Sequence, residues 1–197
     1  MDSKAIEEKI LNAAFRVVDR YTISGTRMHL IADEARMVQS NLHYYFKTKQ
    51  DLMLALLRYI QKSFSDSRQT ELEQSPKTLE GQLGGFFQQK KDIIIKTPEY
   101  DRVQYDFWNL GQVDEDVNQC FFESYDIWRK HISQIIMLYD PLIPEEKVWL
   151  VTCVMVSMMM GASLQYLNAP GLFDLDAYFQ TCLDMVVRYV EPDRKEP

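Results

Sequence analysis

Apolar residues recur at steps of three and four along almost the whole of this 197-residue chain, and nowhere do they settle into the two-residue alternation of a half-buried strand. Ile6, Ile10, Ala13, Ala14, Val17 and Val18 set the pattern, and Leu52, Leu56, Tyr59 and Ile60 repeat it further on. A chain written in this period buries its apolar stripes by packing helix on helix, so an all-α fold of about nine helices is expected. Composition agrees: 46% hydrophobic and 26% charged residues, with seven Gly and seven Pro, describe a globular chain.

Capping residues, prolines and glycines place the breaks. The first helix is expected to start behind Asp2 or Ser3 and to end near Tyr21. Short helices are expected at about 27–35 and 39–46, with a turn at 36–38. A long fourth helix starts at Lys49 behind a Thr48/Asp51 capping box and runs into the 70s. Ser75-Pro76 and Thr97-Pro98 each put a capping residue before proline, which predicts the starts of helices five and six, and Gly111 closes the sixth. Three further helices are expected at about 114–138, 145–167 and 174–190, the last stopped by Pro192.

Several function classes are disfavoured at once. Cys120, Cys153 and Cys182 have no metal-ligand spacing and form no disulfide framework, which suits a reducing cytoplasm. With Asp2, Glu7 and Glu8 among the first residues and no continuous apolar run, neither a signal nor a transit peptide is expected here. Residues 148–173 carry no Asp, Glu, Lys or Arg and are long enough to span a bilayer. Thr152, Ser157, Ser163, Gln165 and the 168–171 turn dilute that stretch, so a helix buried on all sides is expected instead of a membrane span. His29, His43 and His131 stand in no metalloenzyme motif, and no phosphate loop or serine elbow occurs, so neither an enzyme nor a bound metal or cofactor is expected. Net charge is −7, yet residues 1–62 hold ten Lys/Arg against seven Asp/Glu. A basic head on an acidic body can still present one face to a polyanion.

Two short helices joined by a three-residue turn hold the second steeply across the first, and such a helix can enter a major groove. Ile31, Ala32, Ala35, Leu42 and Phe46 have the spacing of the locked inner faces. Gln39, Ser40, Asn41, His43 and Tyr44 are left outward, and Gln and Asn can bond adenine bidentately while Ser favours phosphate.

From Ile10 to Leu54 this segment resembles the DNA-binding head of the tetracycline-repressor (TetR) family, through Ile10, Leu11, Ala13, Ala14, Thr26, Ile31, Ala32, Ala35, Leu42, Tyr45, Phe46, Lys49 and Leu52 at fixed offsets. The resemblance implies a helix-turn-helix domain over 1–48 and a ligand-binding and dimerisation body over 49–197, with helix 49–74 as connector. It implies DNA-facing roles for Thr26, Arg27, His29, Gln39, Ser40, Asn41, His43, Tyr44, Tyr45 and Lys49, the last at a phosphate-contacting position. Arg36 stands where the family has a left-handed glycine, Val38 where it has a serine cap, and His43 where it has tyrosine.

The body is rich in aromatic and Met residues, most of which must be core. The resemblance implies a small-molecule effector site among helices five to eight, with Tyr105, Trp108, Asn109, Tyr125, Trp128 and Met159 as lining candidates. It also implies a homodimer through helices at about 145–167 and 174–190, with Gly161, Ala162 and Ser163 allowing close approach and Tyr178, Leu183, Val186 and Val187 adding area. The expected function is a repressor released from a palindromic operator by its effector. The alternative is a helical binding or scaffold protein whose head has lost DNA affinity.

Overall fold

The structure, a computed structural model, describes residues 3–191. Among them the chain forms helices and no strand: α1 (Ser3–Gly25), α2 (Met28–Glu34), α3 (Gln39–Tyr45), α4 (Lys49–Gln74), α5 (Leu79–Lys96), α6 (Pro98–Leu110), α7 (Glu115–Tyr139), α8 (Glu145–Asn168) and α9 (Leu175–Val190). Asp2 and Pro192, expected to cap and to stop helices, lie outside the described residues. The chain divides into two compact units, Met1–Phe64 with Glu99–Phe122, and Ser65–Pro98 with Glu123–Pro197. The first unit therefore takes in more than residues 1–48, adding the start of α4, α6 from Glu99 onward and the start of α7.

In the first unit, Ile10, Ala14, Val17, Ile31, Leu42 and Leu56 are all but sealed from water. Glu34 on α2 receives Arg16 at 2.5 Å and Arg20 at 2.9 Å, which ties α2 to α1. The two arginines stand one helical turn apart and so reach one carboxylate together. α1 kinks at Thr22 (φ 59°, ψ 170°), close to the expected end at Tyr21. A β-branched residue there costs about 1–3 kcal/mol and needs compensation. Thr26 supplies some: fully buried, it donates its hydroxyl to the Thr22 carbonyl at 2.7 Å and its amide to the same oxygen at 3.1 Å. α6 adds more through Arg102 on Asp19, Tyr100 against Phe15 (centroids 4.4 Å apart), and Asp106, which accepts the Ile23 N–H at 2.5 Å.

The second unit is built from α5, α8, α9 and the remainders of α4 and α7. Leu83, Phe86, Ile132, Met155 and Met159 are at its centre with no exposure. Phe87 stacks on Phe179 to join α5 to α9. α8 is long and apolar enough to cross a membrane by length and composition, the only such helix among the described residues. One of its faces, with Val148, Val151, Met155, Met159 and Ala162, is spent on this core, while Trp149, Leu150, Val154 and Leu164 are exposed.

The start of α5 corrects the sequence reading. Ser75-Pro76 does not open the helix; Thr78 does, its hydroxyl accepting the Gly81 N–H at 3.0 Å. Ser75 instead donates back to the Glu71 carbonyl at the end of α4. The intervening turn folds down onto α5 so tightly that a Cβ at Gly81 would stand 2.6 Å from the Pro76 carbonyl oxygen, and one at Gly85 2.6 Å from the Ser75 hydroxyl. Glycine is required at Gly81, where the neighbour is backbone, while at Gly85 a side chain would have to displace the Ser75 hydroxyl. Of the dimer residues named from sequence, Ala162, Ser163 and Val187 are buried within their own chain, whereas Val186, also largely buried, borders a depression between α8 and α9.

Candidate DNA-binding head and effector site

α3 is seven residues long and held by a single sealed side chain, Leu42. Its placement depends on the turn before it. Ile31 and Asp33 accept the Ala35 and Arg36 amides, and Ala32 accepts Met37 N–H at 3.0 Å, which closes a Schellman motif with Arg36 in the left-handed position at φ 52°. Arg36 takes the conformation that glycine adopts readily, at a cost of order 1 kcal/mol for a residue with Cβ. Val38 precedes α3 in extended conformation and gives no side-chain cap. The first amides of α3 are thus left available to an acceptor outside the chain.

From this short helix Gln39, Ser40 and Asn41 are exposed, and Tyr44 is 73% exposed. The Gln39 amide meets His43 Nε2 at 3.3 Å, while His43 Nδ1 lies 3.2 Å from the Lys47 carbonyl. A neutral ring protonated on Nδ1 satisfies both: it donates to Lys47 and accepts from Gln39, which fixes the Gln39 amide with its oxygen free. Tyr44 packs edge-on against half-buried Tyr45, with the Lys47 ammonium 5.9 Å from the Tyr44 ring. His29 and Arg27 are exposed, and Arg27 donates to the Ser24 and Thr26 carbonyls.

Two residues of the expected DNA-facing set are used internally. Thr26 is sealed in the α1–α2 turn. Lys49 is half-buried and donates its ammonium to the Ile23 carbonyl at 2.6 Å. Burial and the neighbouring Arg27 lower its pKa, with Asp106 acting in the opposite sense. Thr48 and Asp51 complete the expected capping box, each side chain accepting the other's backbone amide at 3.0 Å.

Below this junction the first unit contains a cavity of about 540 Å³ walled by Met53, Leu54, Leu110, Val113 and Val117, with Lys49, Asp106 and Asn109 at its polar edge. Among the six effector candidates, Tyr105, Trp108 and Asn109 belong to this unit, with Trp108 47% exposed. Tyr125, Trp128 and Met159 belong to the other, where Trp128 is 8% exposed and Met159 is sealed in the core. The sequence also passed over Arg68. It continues the α4 line of Ile60 and Phe64 and is followed at the same step by Leu72, so an isolated cation interrupts an apolar stripe. That interruption is the signal that could have found it.

Residues 10–56 match the family of bacterial regulatory proteins of the tetR type. Over 176 residues the chain is 24% identical to a helix-turn-helix regulator encoded in the dhlA 5′ region of Xanthobacter autotrophicus, covering 88% of this chain and 86% of that one. Over 61 residues it is 39% identical to the regulator RutR of Escherichia coli K12, 29% of each chain. Its fold superimposes on that of a Saccharomonospora viridis protein described as a transcriptional regulator and solved with choline (TM-score 0.81, 20% identity, 94% of this chain and 97% of that one). It also superimposes on the transcriptional regulator FadR of Bacillus subtilis in complex with stearoyl-CoA (TM-score 0.77, 16% identity, 91% and 97%). The tetR-type match thus covers the head, residues 10–56, and the fold along the length of the chain is the one these solved structures share.

Proposed function

We propose that the protein is a cytoplasmic, dimeric repressor that reads a near-palindromic operator with α3 and is released from it by a small-molecule effector. The observation that carries the reading is the division of α3 between one sealed anchor, Leu42, and an outward row of Gln39, Ser40, Asn41 and Tyr44. A helix that needed only to pack would not leave its first turn uncapped and edged with base-reading amides. Dimerisation is assigned to the exposed apolar residues of α8 and α9, where Leu150, Val154, Met158, Met185 and Tyr189 surround a shallow apolar depression. Effector control is supported by the folds solved with choline and stearoyl-CoA, two ligands of different chemistry.

Titrating the protein onto duplex fragments tests this. Dimeric binding is expected to sites with half-site centres about one helical turn or a small multiple apart, weakening steeply with salt as counterions are released. Asn41→Ala is expected to relax preference at one base pair by about 1–3 kcal/mol. Binding with neither sequence preference nor salt dependence would show that the protein does not read an operator.

A further inference from the structure

Arg68 is 6% exposed, which makes it the most deeply buried arginine among the described residues. Its guanidinium carbon lies 5.3 Å from the centre of the Trp128 ring, itself part of the second unit's core. Arg68 Nε and Trp128 Nε1 are both buried donors without a hydrogen-bond partner. No carboxylate among the described residues offsets the charge: desolvation alone acts on the group, lowering its pKa to about 10. Other cations of the unit are engaged, Lys91 with Asp176, Lys96 with Asp92 and Lys130 with Asp126. Arg129 Nε is likewise buried without a partner, on a residue that is as a whole only half-buried and whose guanidinium lies over Trp149.

A buried cation beside two idle donors is costly in isolation. What completes it is an acceptor, and one that brings negative charge, since water satisfies a donor without balancing a cation. A guanidinium presents parallel N–H groups that match the two oxygens of a carboxylate. The count of charge selects among anions. His131, which feels Arg68, has its pKa lowered by burial first and by that arginine second, so it adds no second positive charge. A phosphate ester carries about −1.5 to −2 near neutral pH and would be left unbalanced against one arginine. A carboxylate carries one charge. The walls select its remainder: Leu72, Tyr125 and Ile135 pack on the same core, and the indole offers a flat apolar face. One turn along the same two helices, Leu72 and His131 line a surface groove of about 340 Å³, with Gln69, Gln82 and Ile135.

We propose that Arg68 and the Trp128 indole N–H form a receptor for an organic monocarboxylate with an apolar body, and that this class includes the effector; the second clause rests on the effector-controlled repressor reading above.

The test uses the full chain with Trp108 and Trp149 replaced by Phe, which leaves Trp128 as the sole tryptophan. The probes are 2-naphthoate and decanoate, each against its own carboxamide. The expected result is that at least one carboxylate changes Trp128 fluorescence and binds ten-fold or more tightly than its amide. Arg68→Met should then lose that binding at least ten-fold while circular dichroism stays helical, and Arg68→Lys should keep part of it. Equal binding of acid and amide, no binding of either acid up to millimolar concentration, or unchanged binding in Arg68→Met would each overturn the receptor. Operator affinity of the unsubstituted protein is measured with and without the binding carboxylate. If the carboxylate binds and operator affinity is unchanged, the receptor stands and its assignment to the effector fails. If the probe-free protein does not read an operator, the repressor reading fails on its own.

Discussion

Lys49 opens α4 in the first unit and Arg68 stands near the end of the same helix in the second, and the two side chains leave water on different terms. Lys49 is only half-buried, its ammonium is received by the Ile23 carbonyl at 2.6 Å, and Asp106 is close enough to favour its charge. Arg68 goes deeper, meets the face of an indole, and leaves Nε without an acceptor. Burial by itself therefore says little about a cation's role. A cation whose acceptor comes from the chain is holding the chain in place; one whose acceptor does not is positioned for something else.

Opposite signs of stability would sharpen that contrast. Arg68→Met exchanges an uncompensated buried charge for an apolar side chain of similar length, and by analogy with other buried charges it should stabilise the protein by about 1–4 kcal/mol. Thermal unfolding should move upward by roughly 2–4 °C per kcal/mol for a chain of this size. A drop in melting temperature would mean that Arg68 is a structural residue after all, and the comparison would break. Lys49→Met should go the other way by about 1 kcal/mol, the value of a charge-assisted hydrogen bond discounted for its partial exposure. An unchanged melting temperature would remove Lys49 from the clamp on Ile23.

The exposed fork of Arg16 and Arg20 on Glu34 gives the smallest effect and serves as the baseline. The Arg16 hydrogen bond is the largest influence on Glu34 and, helped by Arg20, holds its pKa below the usual carboxylate value. A carboxyl whose folded-state pKa is depressed contributes stability that is present above its unfolded value and lost as pH falls through the folded one. Acid titration of stability should therefore show a small added loss below the ordinary glutamate range, absent in Glu34→Gln. A larger effect there than at Lys49 would show surface pairing outweighing the buried contacts.

The helical fold was legible because it is written in local signals. The Thr48/Asp51 box, Pro98, Gly111 and Asp174 act within one helical turn, and the structure places helix ends beside each of them. Misreading began where two adjacent segments carried equivalent signals. Ser75 and Thr78 are both cap formers, and only the tertiary approach of Pro76 to Gly81 decides between them. Arg36 was legible as strain because the family offers glycine at that place, and its φ of 52° bears this out. The effector candidates, four of them aromatic, were legible one by one and not as a set: which of them share a unit depends on how the helices are divided between the two, which no spacing within a helix records. Arg68 was hidden by its class, since a charged residue in a long helix is ordinarily solvated.

The backbone of Ile23 is held on both sides, its N–H by Asp106 of α6 and its carbonyl by Lys49 of α4, directly after the kink at Thr22. Three helices thus meet at one residue. Its amide hydrogen can exchange with solvent only when the Asp106 contact opens, so the exchange rate of this single proton measures how often α6 releases the end of α1. The kink relaxes or persists with the same event, because Thr22 is kept in its strained conformation by what surrounds it. A change of state in the first unit can in this way be followed at one backbone position.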